Sequence, residues 1–500
     1  MKIPFILLIF ISLYSCNTVS HHNKAYNSPI RKKDILSDID FVYKKLTNLH
    51  PHLYDFISEE DFKYQFDSLK STINSPLTKD ELYFKLSPLI ASIRQGHTLL
   101  RPTNLKLTKE EVSHYKKYGA SPLSKFKFEV FDEKLHLIEN KSSDSTIKIG
   151  SEIISIDNIS IQKIKEKYRK TYSSDGYNET LFDKKFAIQF PYYIYKEKGI
   201  LDSILIKYAF NDTVYSKVLK KEITLKKSTL EKDKKVKKLF NKSQKSNILT
   251  FDETDSCIAI LKVTNFSHNQ YRSVFEKIDS VGSDHLIIDL RYNPGGRLDY
   301  SAKLYSYLID STYNYIDREE FTSRISHLTR INLSEKPVVK FIYYTVFSPF
   351  IILKNAILTT KIKKDGDRFF IVPPSNATVN PSEKFNFKGK IYVIINGASF
   401  SASSVLSSNL KHKKLAFFVG EETGGAQNEC VAGFIPTFIL PHSKLKLNFG
   451  LMNLQSHGRS KIKGRGVFPD KEIKPTIDDR IKGIDPELEW ILHDIKHVHH

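Results

Sequence analysis

Apolar residues recur at helical spacing through the first hundred residues of the chain. The spacing of three to four residues marks one face of a helix, and Pro51 ends the first such face. That first face comprises Ile35, Ile39, Val42 and Leu46. Similar stretches continue to residue 93, so the pattern predicts a helical N-terminal region over residues 31–105. We expect Gly96 to stop the last helix of this region.

A period of two replaces the helical period after about residue 124. Residues 126–130 alternate between apolar and polar side chains, as a strand with one buried face does. The tight turn Asp157-Asn158 separates two further apolar runs, and a helix is predicted from Ile164. These features predict a β-rich domain over residues 120–219.

The second half of the chain alternates between strand and helix patterns. A lysine-rich stretch with few aromatic residues, 220–248, precedes it and is predicted to be a solvated linker. The alternation predicts an α/β core over residues 249–490. Residues 312–388 interrupt the alternation with an aromatic and lysine-rich stretch, which is predicted to be an insertion.

Serine residues cluster where a buried strand is followed by a helix. The apolar run 391–395 leads into Ser399, Ser401 and Ser403, and a helical pattern follows over 405–410. A serine at this corner has an exposed hydroxyl, and the free N–H groups of the helix face any negative charge that forms beside it. The geometry suits a serine nucleophile. Taken alone, however, a serine-rich turn is more often a helix N-cap.

The chain begins with a hydrophobic leader. Its apolar run, residues 3–13, is too short to span a bilayer as a helix but suits a signal peptide. Residues 13–16, Leu-Tyr-Ser-Cys, resemble a bacterial lipobox that would make Cys16 the lipidated first residue of the mature protein. We therefore expect a lipoprotein signal peptide over 1–16, a tether over 17–30 and a membrane-anchored location in the cell envelope. An ordinary cleaved secretory signal is the alternative.

Charge and cysteine usage exclude some classes of function. The net charge is +21, but the lysines are dispersed and no nucleic-acid-binding motif accompanies them, so no nucleic acid partner is expected. The 17 histidines form no cluster with metal-ligand spacing, and neither a metal nor another cofactor is expected. Cys257 and Cys430 allow one disulfide, although Cys257 heads an apolar run and is predicted to be a buried thiol.

Four motifs in chain order resemble those of the tail-specific, or C-terminal processing, serine peptidases. Residues 286–296 resemble the DLRxNxGG signature, and residues 399–403 resemble the SASAS nucleophile motif. Residues 420–425 and 466–470 are similar to the GExTGG and GVxPD segments. The resemblance implies a crotonase/ClpP-like α/β protease core and a PDZ-like domain at 120–219, for which a β-rich domain without a peptide groove is the alternative. It also implies protein or peptide substrates.

The resemblance assigns Ser401 as the nucleophile and leaves two possibilities for its base. One branch of the family uses a lysine after the GExTGG loop, but residues 424–427 contain none. The tricorn-type branch uses a histidine in a GHT motif, which His97 matches here. His97 is therefore expected to act as general base, whereas a helix-terminal histidine is the simpler interpretation. Gly295 or Gly296 would stabilise the oxyanion together with Ala402.

The residue that would orient His97 is not identified by the resemblance. The tricorn type has a glutamate shortly before the GVxPD segment, where this chain has residues 462–465, Ile-Lys-Gly-Arg. Glu421, Glu422 and Asp470 are candidates by chemistry alone.

The combined expectation is a serine endopeptidase of the envelope that cleaves unstructured or C-terminal protein segments. The incomplete match leaves open a non-catalytic binding protein on the same fold. A surface-adhesion or scaffold lipoprotein is a further alternative, and the oligomeric state stays open.

Overall fold

The computed structural model describes residues 19–118, 121–222, 247–252, 255, 257–330, 348–374 and 377–497. The leader with Cys16, most of the lysine-rich linker and part of the predicted insertion lie outside these residues.

Four helices build the N-terminal region. Three of them follow the predicted periodicity, whereas the first lies within residues 17–30, which were predicted to be a tether. The four helices are α1 Val19–Asn27, α2 Lys32–Leu49, α3 Glu59–Ser71 and α4 Lys79–Ala91. The fourth begins with a capping box, in which the Thr78 hydroxyl accepts from Glu81 N–H while the Glu81 carboxylate accepts from Thr78 N–H. The apolar faces of α2, α3 and α4 form a common core.

Gly96 is not the helix stop that the sequence predicted. Helix α4 ends at Ala91, and Ser92 caps it. A side chain at Gly96 would instead lie 2.7 Å from the Phe400 ring and 2.9 Å from Asp175 Oδ1, so the glycine permits a close approach of three chain segments.

Residues 126–220 form a twisted antiparallel sheet covered by two helices. After the short strand β1 Leu99–Arg101 and helix α5 Lys109–Tyr118, the elements are β2 Phe126–Phe131, β3 Lys134–Asn140, β4 Glu152–Ile156, β5 Ile159–Ser160, α6 Ile161–Arg169, α7 Thr180–Lys198, β6 Ser203–Phe210 and β7 Thr213–Lys220. The strand order is β2-β3-β4-β6-β7, with β5 paired to β4. Strand β2 lies at the edge of this sheet, beside α7.

The rest of the chain alternates between strands and helices. The elements are β8 Asn247–Phe251, β9 Ile258–Val263, α8 Arg272–Val281, β10 His285–Asp289, α9 Leu298–Tyr305, β11 Tyr313–Asn314, β12 Ile316–Phe321, α10 Ser348–Lys361, β13 Ile362–Asp365, β14 Arg368–Ile371, β15 Thr378–Val379, β16 Lys390–Ile395, α11 Ala402–His412, β17 Phe417–Gly420, β18 Glu429–Ala432, β19 Thr437–Ile439, β20 Lys446–Asn448, β21 Met452–Ser456, β22 Lys471–Glu472, α12 Ile477–Lys482 and α13 Pro486–His497.

A mostly parallel sheet forms the centre of this α/β part. Its order is β22-β17-β16-β10-β9-β8, and only β8 runs antiparallel to its neighbour. Helices α8, α9 and α11 contribute apolar residues to the core on one face of the sheet, while α13 packs on the other. Strands buried on both faces explain the uninterrupted apolar runs in the sequence.

The predicted insertion is joined to the α/β part through a second sheet. Strands β12, β13 and β14 come from residues 312–388, and they pair with β21 and β18 in the order β13-β14-β12-β21-β18. The insertion therefore supplies three of the five strands of this second sheet.

The N-terminal helices reach the α/β part through strand pairing and a shared core. Leu99, Leu100 and Arg101 of β1 pair with Asn448, Leu447 and Lys446 of β20. Apolar residues of segment 440–451 complete the core of the N-terminal helices. None of the described helices is long and apolar enough to cross a bilayer.

The two cysteines of the described residues are free thiols, so the disulfide that the sequence allowed is not formed. Cys430 is buried, but Cys257 is exposed, contrary to the prediction. Cys257 lies in the turn before β9, outside the buried part of that strand.

Candidate active site

Ser401 lies at the corner between strand β16 and helix α11. Its backbone has φ 58° and ψ −125°, a conformation that costs an L-residue about 1–3 kcal/mol and that persists only where the surroundings enforce it. The sequence predicted the corner and its exposed hydroxyl, although α11 begins at Ala402, three residues earlier than expected.

Hydrogen bonds from neighbouring segments hold this corner in place. Ser399 Oγ donates to Leu290 O at 2.8 Å and accepts from Asn396 N at 3.1 Å. Phe400 N donates to Asn293 O at 3.0 Å. The DLRxNxGG segment thus supplies the main-chain acceptors that fix the serine-rich turn.

His97 lies against Ser401, as the GHT motif predicted. Its Nε2 is 3.1 Å from Ser401 Oγ, a hydrogen-bonding distance, and its ring packs on Phe400. Burial, and next the charge of Arg101, lower the pKa of His97 to about 4. A neutral imidazole at neutral pH is the form that accepts a proton from a serine hydroxyl.

Gly295 and Gly296 lie beside the nucleophile, and their main-chain N–H groups differ in whether they already donate a hydrogen bond. Gly295 N donates to Asn293 Oδ1 at 2.9 Å, so it is already used. Gly296 N and Ala402 N make no hydrogen bond with the described residues. Gly296 also lines the cavity over Ser401. Of the two glycines that the sequence left open, the structure therefore favours Gly296 as an oxyanion donor.

The three acids proposed to orient His97 are engaged elsewhere. Glu421 pairs with Lys184 at 2.8 Å, and Glu422 holds Arg465 through both carboxylate oxygens. Asp470 pairs with Lys411 and accepts from Phe418 N. Among the described residues, no carboxylate hydrogen-bonds to the ring of His97. The structure does not bring any of the three candidates to the base.

Asp175 is a buried carboxylate beside the site that the sequence analysis did not single out. It lies between α6 and α7, is 4% exposed, and accepts from Gly96 N at 2.6 Å and from Ala426 N at 3.1 Å. Burial raises the pKa of Asp175 to about 6, against the lowering effect of these two N–H donors. No local motif marks this residue, because its partners are 79 and 251 positions away.

A cavity of about 630 Å³ opens over Ser401 and His97. Its walls are largely apolar and come from both the α/β part and the insertion, with Leu358, Ile371, Phe434, Met452 and Leu454 among the lining residues. Cys430 also lines it. Burial raises the pKa of Cys430 well above its usual value, so the thiol stays protonated.

One group within the described residues offers atoms of the kind that ligate metals, namely His52, Asp55 and Glu429. His52 Nδ1 lies 2.8 Å from Asp55 Oδ2, and its Nε2 lies 3.1 Å from Glu320 Oε2. Burial opposes the charged ring, but these two hydrogen bonds outweigh it and raise the pKa of His52 to about 10. The raised pKa keeps the ring positively charged at neutral pH, and this charge balances the neighbouring carboxylates.

Comparison with known proteins agrees with this geometry. Residues 257–473 match the family model of peptidase family S41. The chain carries a peptidase family S41 domain. Its enzyme class is therefore that of a serine peptidase, and the resemblance to the C-terminal processing peptidases is confirmed. None of the curated proteins matches the sequence.

Solved structures extend the similarity beyond residues 257–473. Mature CPAF in complex with lactacystin is 14% identical, with a TM-score of 0.60 over 92% of this chain and 97% of CPAF. A serine-to-alanine mutant of CPAF is also 14% identical, with a TM-score of 0.61 over 93% of this chain and 96% of the other. At this identity the similarity establishes the fold, and it confirms the predicted α/β protease fold class.

Proposed function

We propose that this S41 peptidase is an endopeptidase in which Ser401 is the nucleophile and His97 the general base. The observation that carries the proposal is the 3.1 Å approach of His97 Nε2 to Ser401 Oγ, two residues that lie 304 positions apart. It is supported by the strained backbone of Ser401 and by the two free amides beside it.

The reaction follows from this arrangement. His97 Nε2 takes the proton of Ser401 as Oγ attacks the scissile carbonyl carbon, and the carbonyl oxygen becomes an oxyanion that accepts from Gly296 N and Ala402 N. His97 then gives the proton to the leaving amine as the C–N bond breaks. Water, deprotonated by His97, hydrolyses the acyl-enzyme and restores the Ser401 hydroxyl.

The proposed substrates are unstructured or C-terminal segments of proteins. The cavity over Ser401 has largely apolar walls, which suit the apolar side chains of an extended segment. A second cavity of about 590 Å³ lies between the edge strand β2 and helix α7. In the PDZ-like interpretation of this region, a peptide adds a strand to such an edge. The proposed location is the cell envelope, through a lipid on Cys16.

Labelling with a fluorophosphonate probe and digestion of casein test the peptidase. We expect the wild-type protein to label and to cleave, and both signals to be lost in Ser401→Ala and His97→Ala. Ser403→Ala is the matched serine control, because Ser403 is buried on the same helix. His457→Ala is the matched histidine control, since His457 is hydrogen-bonded to Asp317.

The alternative is a binding protein on the same fold, favoured by the lack of a described carboxylate on His97. A folded wild-type protein that neither labels nor cleaves would decide for it. Labelling that survives His97→Ala would mean that another group activates Ser401.

A further inference from the structure

A single short segment between helices α6 and α7 joins the base to the nucleophile. We call residues 173–178 the strap. Ser173 Oγ donates to Thr98 O at 2.6 Å and Gly176 N donates to Arg94 O at 2.8 Å, so the strap is bound on both sides of His97. These bonds tie the strap to the loop that carries His97.

The opposite side of the strap is bound to the loops that flank Ser401. Asn178 Nδ2 donates to Thr423 O at 3.0 Å, and Tyr177 N donates to Gly464 O at 2.7 Å. The loop after Thr423 in turn contacts the nucleophile turn, because Gly424 N donates to Ser399 O at 3.0 Å. The strap is therefore shared by the two halves of the candidate active site.

Asp175 is the one strap side chain that bonds to both halves at once. One carboxylate oxygen accepts from Gly96 N, next to His97, and the other accepts from Ala426 N, in the loop beside the Ser401 turn. Gly96 is held between this oxygen and the Phe400 ring, with no room for a side chain. A displacement of the Asp175 carboxylate would thus move Gly96, which precedes His97, relative to Phe400, which precedes Ser401.

We propose that Asp175 is a positioning residue that sets the distance between His97 and Ser401, and that only its ionised form does so. The carboxylate accepts at both oxygens, whereas protonation puts a hydrogen on one oxygen and makes it a weaker acceptor for the N–H group that it faces. The inference rests on the proposed function of Ser401 and His97. Asp175 lies outside residues 257–473, the part of the chain that matches the S41 family model.

Activity at low pH is the consequence that distinguishes this role. The pKa of Asp175 is raised to about 6 and that of His97 is lowered to about 4. As pH falls, Asp175 is protonated first, so the acidic limb of kcat lies near pH 6 rather than near pH 4. The ionisable groups that face Asp175 are Tyr172, Glu429 and Cys430. Burial and next the charge of Asp175 raise the pKa of both Tyr172 and Cys430, so these two stay neutral in this range.

The test compares Asp175→Asn with Asp38→Asn in the full chain. Asp38 is a matched control because it is also buried and accepts two main-chain N–H groups, from His442 at 2.9 Å and Ser443 at 2.7 Å, away from the site. We expect Asp175→Asn to lower kcat by about 10- to 100-fold with KM within about threefold. We also expect its acidic limb to move from near pH 6 to near pH 4. Asp38→Asn should keep the wild-type kcat and limb.

A second variant covers the case in which Asp175→Asn does not fold. Ser173→Ala removes the bond to Thr98 O but leaves the carboxylate, so kcat should fall while the acidic limb stays near pH 6.

The inference is overturned if Asp175→Asn folds and keeps the wild-type kcat and limb, or if Ser173→Ala leaves kcat unchanged where Asp175→Asn is unfolded. Equal losses in Asp175→Asn and Asp38→Asn would overturn it as well, since they would indicate general destabilisation. A wild-type protein that neither labels nor cleaves would overturn the proposed function, and this inference with it.

Discussion

His97 Nε2 and Ser401 Oγ lie 3.1 Å apart although one residue follows the N-terminal helices and the other precedes a helix of the α/β part. The pairing of β1 with β20 brings the GHT segment to the α/β part. The site is therefore assembled by contacts between regions that are distant in sequence.

Replacement of His97 by Gln should separate catalysis from binding. Glutamine keeps much of the volume and polarity of the ring but cannot take the serine proton, so kcat should fall by about 10²–10⁴-fold with KM little changed. Steady-state hydrolysis of a fluorogenic peptide measures both constants. A large rise in KM with an unchanged kcat would contradict the role of His97 as base.

Gly296→Ala should impair the oxyanion site. A Cβ at Gly296, where φ is 142°, would lie 2.5 Å from Phe266 O, so the main chain and its N–H must shift. Loss of one oxyanion donor costs about 10²–10³-fold in kcat. Gly366→Ala is the control, because Gly366 also has a positive φ of 58° but has no atom within 4 Å of the added Cβ. Equal activity of the two variants would mean that the Gly296 amide does not contact the transition state.

The two thiols should differ in reactivity by their exposure. In a Cys16→Ser background, maleimide should modify Cys257 in the folded protein and reach Cys430 only after denaturation, because Cys430 is buried and its pKa is raised well above normal. Probe labelling of Ser401 should survive the first modification. Mass spectrometry of tryptic peptides identifies the modified thiols. Modification of Cys430 before denaturation, with loss of probe labelling, would contradict this prediction.

The sequence predicted those parts of the fold and site that local pattern determines. Strand β16, Lys390–Ile395, was placed to within one residue by the apolar run 391–395, because a strand buried on both faces is apolar at successive positions. The serine-rich corner was found because its strand, turn and helix are contiguous, and the resemblance to the SASAS motif then singled out Ser401. His97 was found by its motif, although nothing local indicates that it contacts a residue 304 positions away.

The parts that were missed depend on pairing between distant segments. Asp175 lies in a short polar loop whose importance comes from two main-chain N–H groups on other elements. Glu421 and Glu422 looked suitable as acids until their cationic partners, Lys184 and Arg465, were in place. The predicted insertion looked separate because the pairing of β12 with β21 joins residues more than a hundred positions apart.

The stability of the protein should depend on pH through His52. The pKa of His52 in the fold is about 10, above its ordinary value of about 6.5, so its ion pairs with Asp55 and Glu320 stabilise the fold fully below about pH 6.5. That contribution, on the order of a few kcal/mol, should be lost as pH rises towards 10. Urea unfolding of wild type and His52→Gln at about pH 6 and about pH 9.5 measures it, and the difference between the two proteins should shrink at the higher pH. His114→Gln is the control, because its exposed ring lies 3.9 Å from Asp202 and such surface pairs contribute little. A difference for His52→Gln that is the same at both pH values would mean that the ring is not charged in the folded protein.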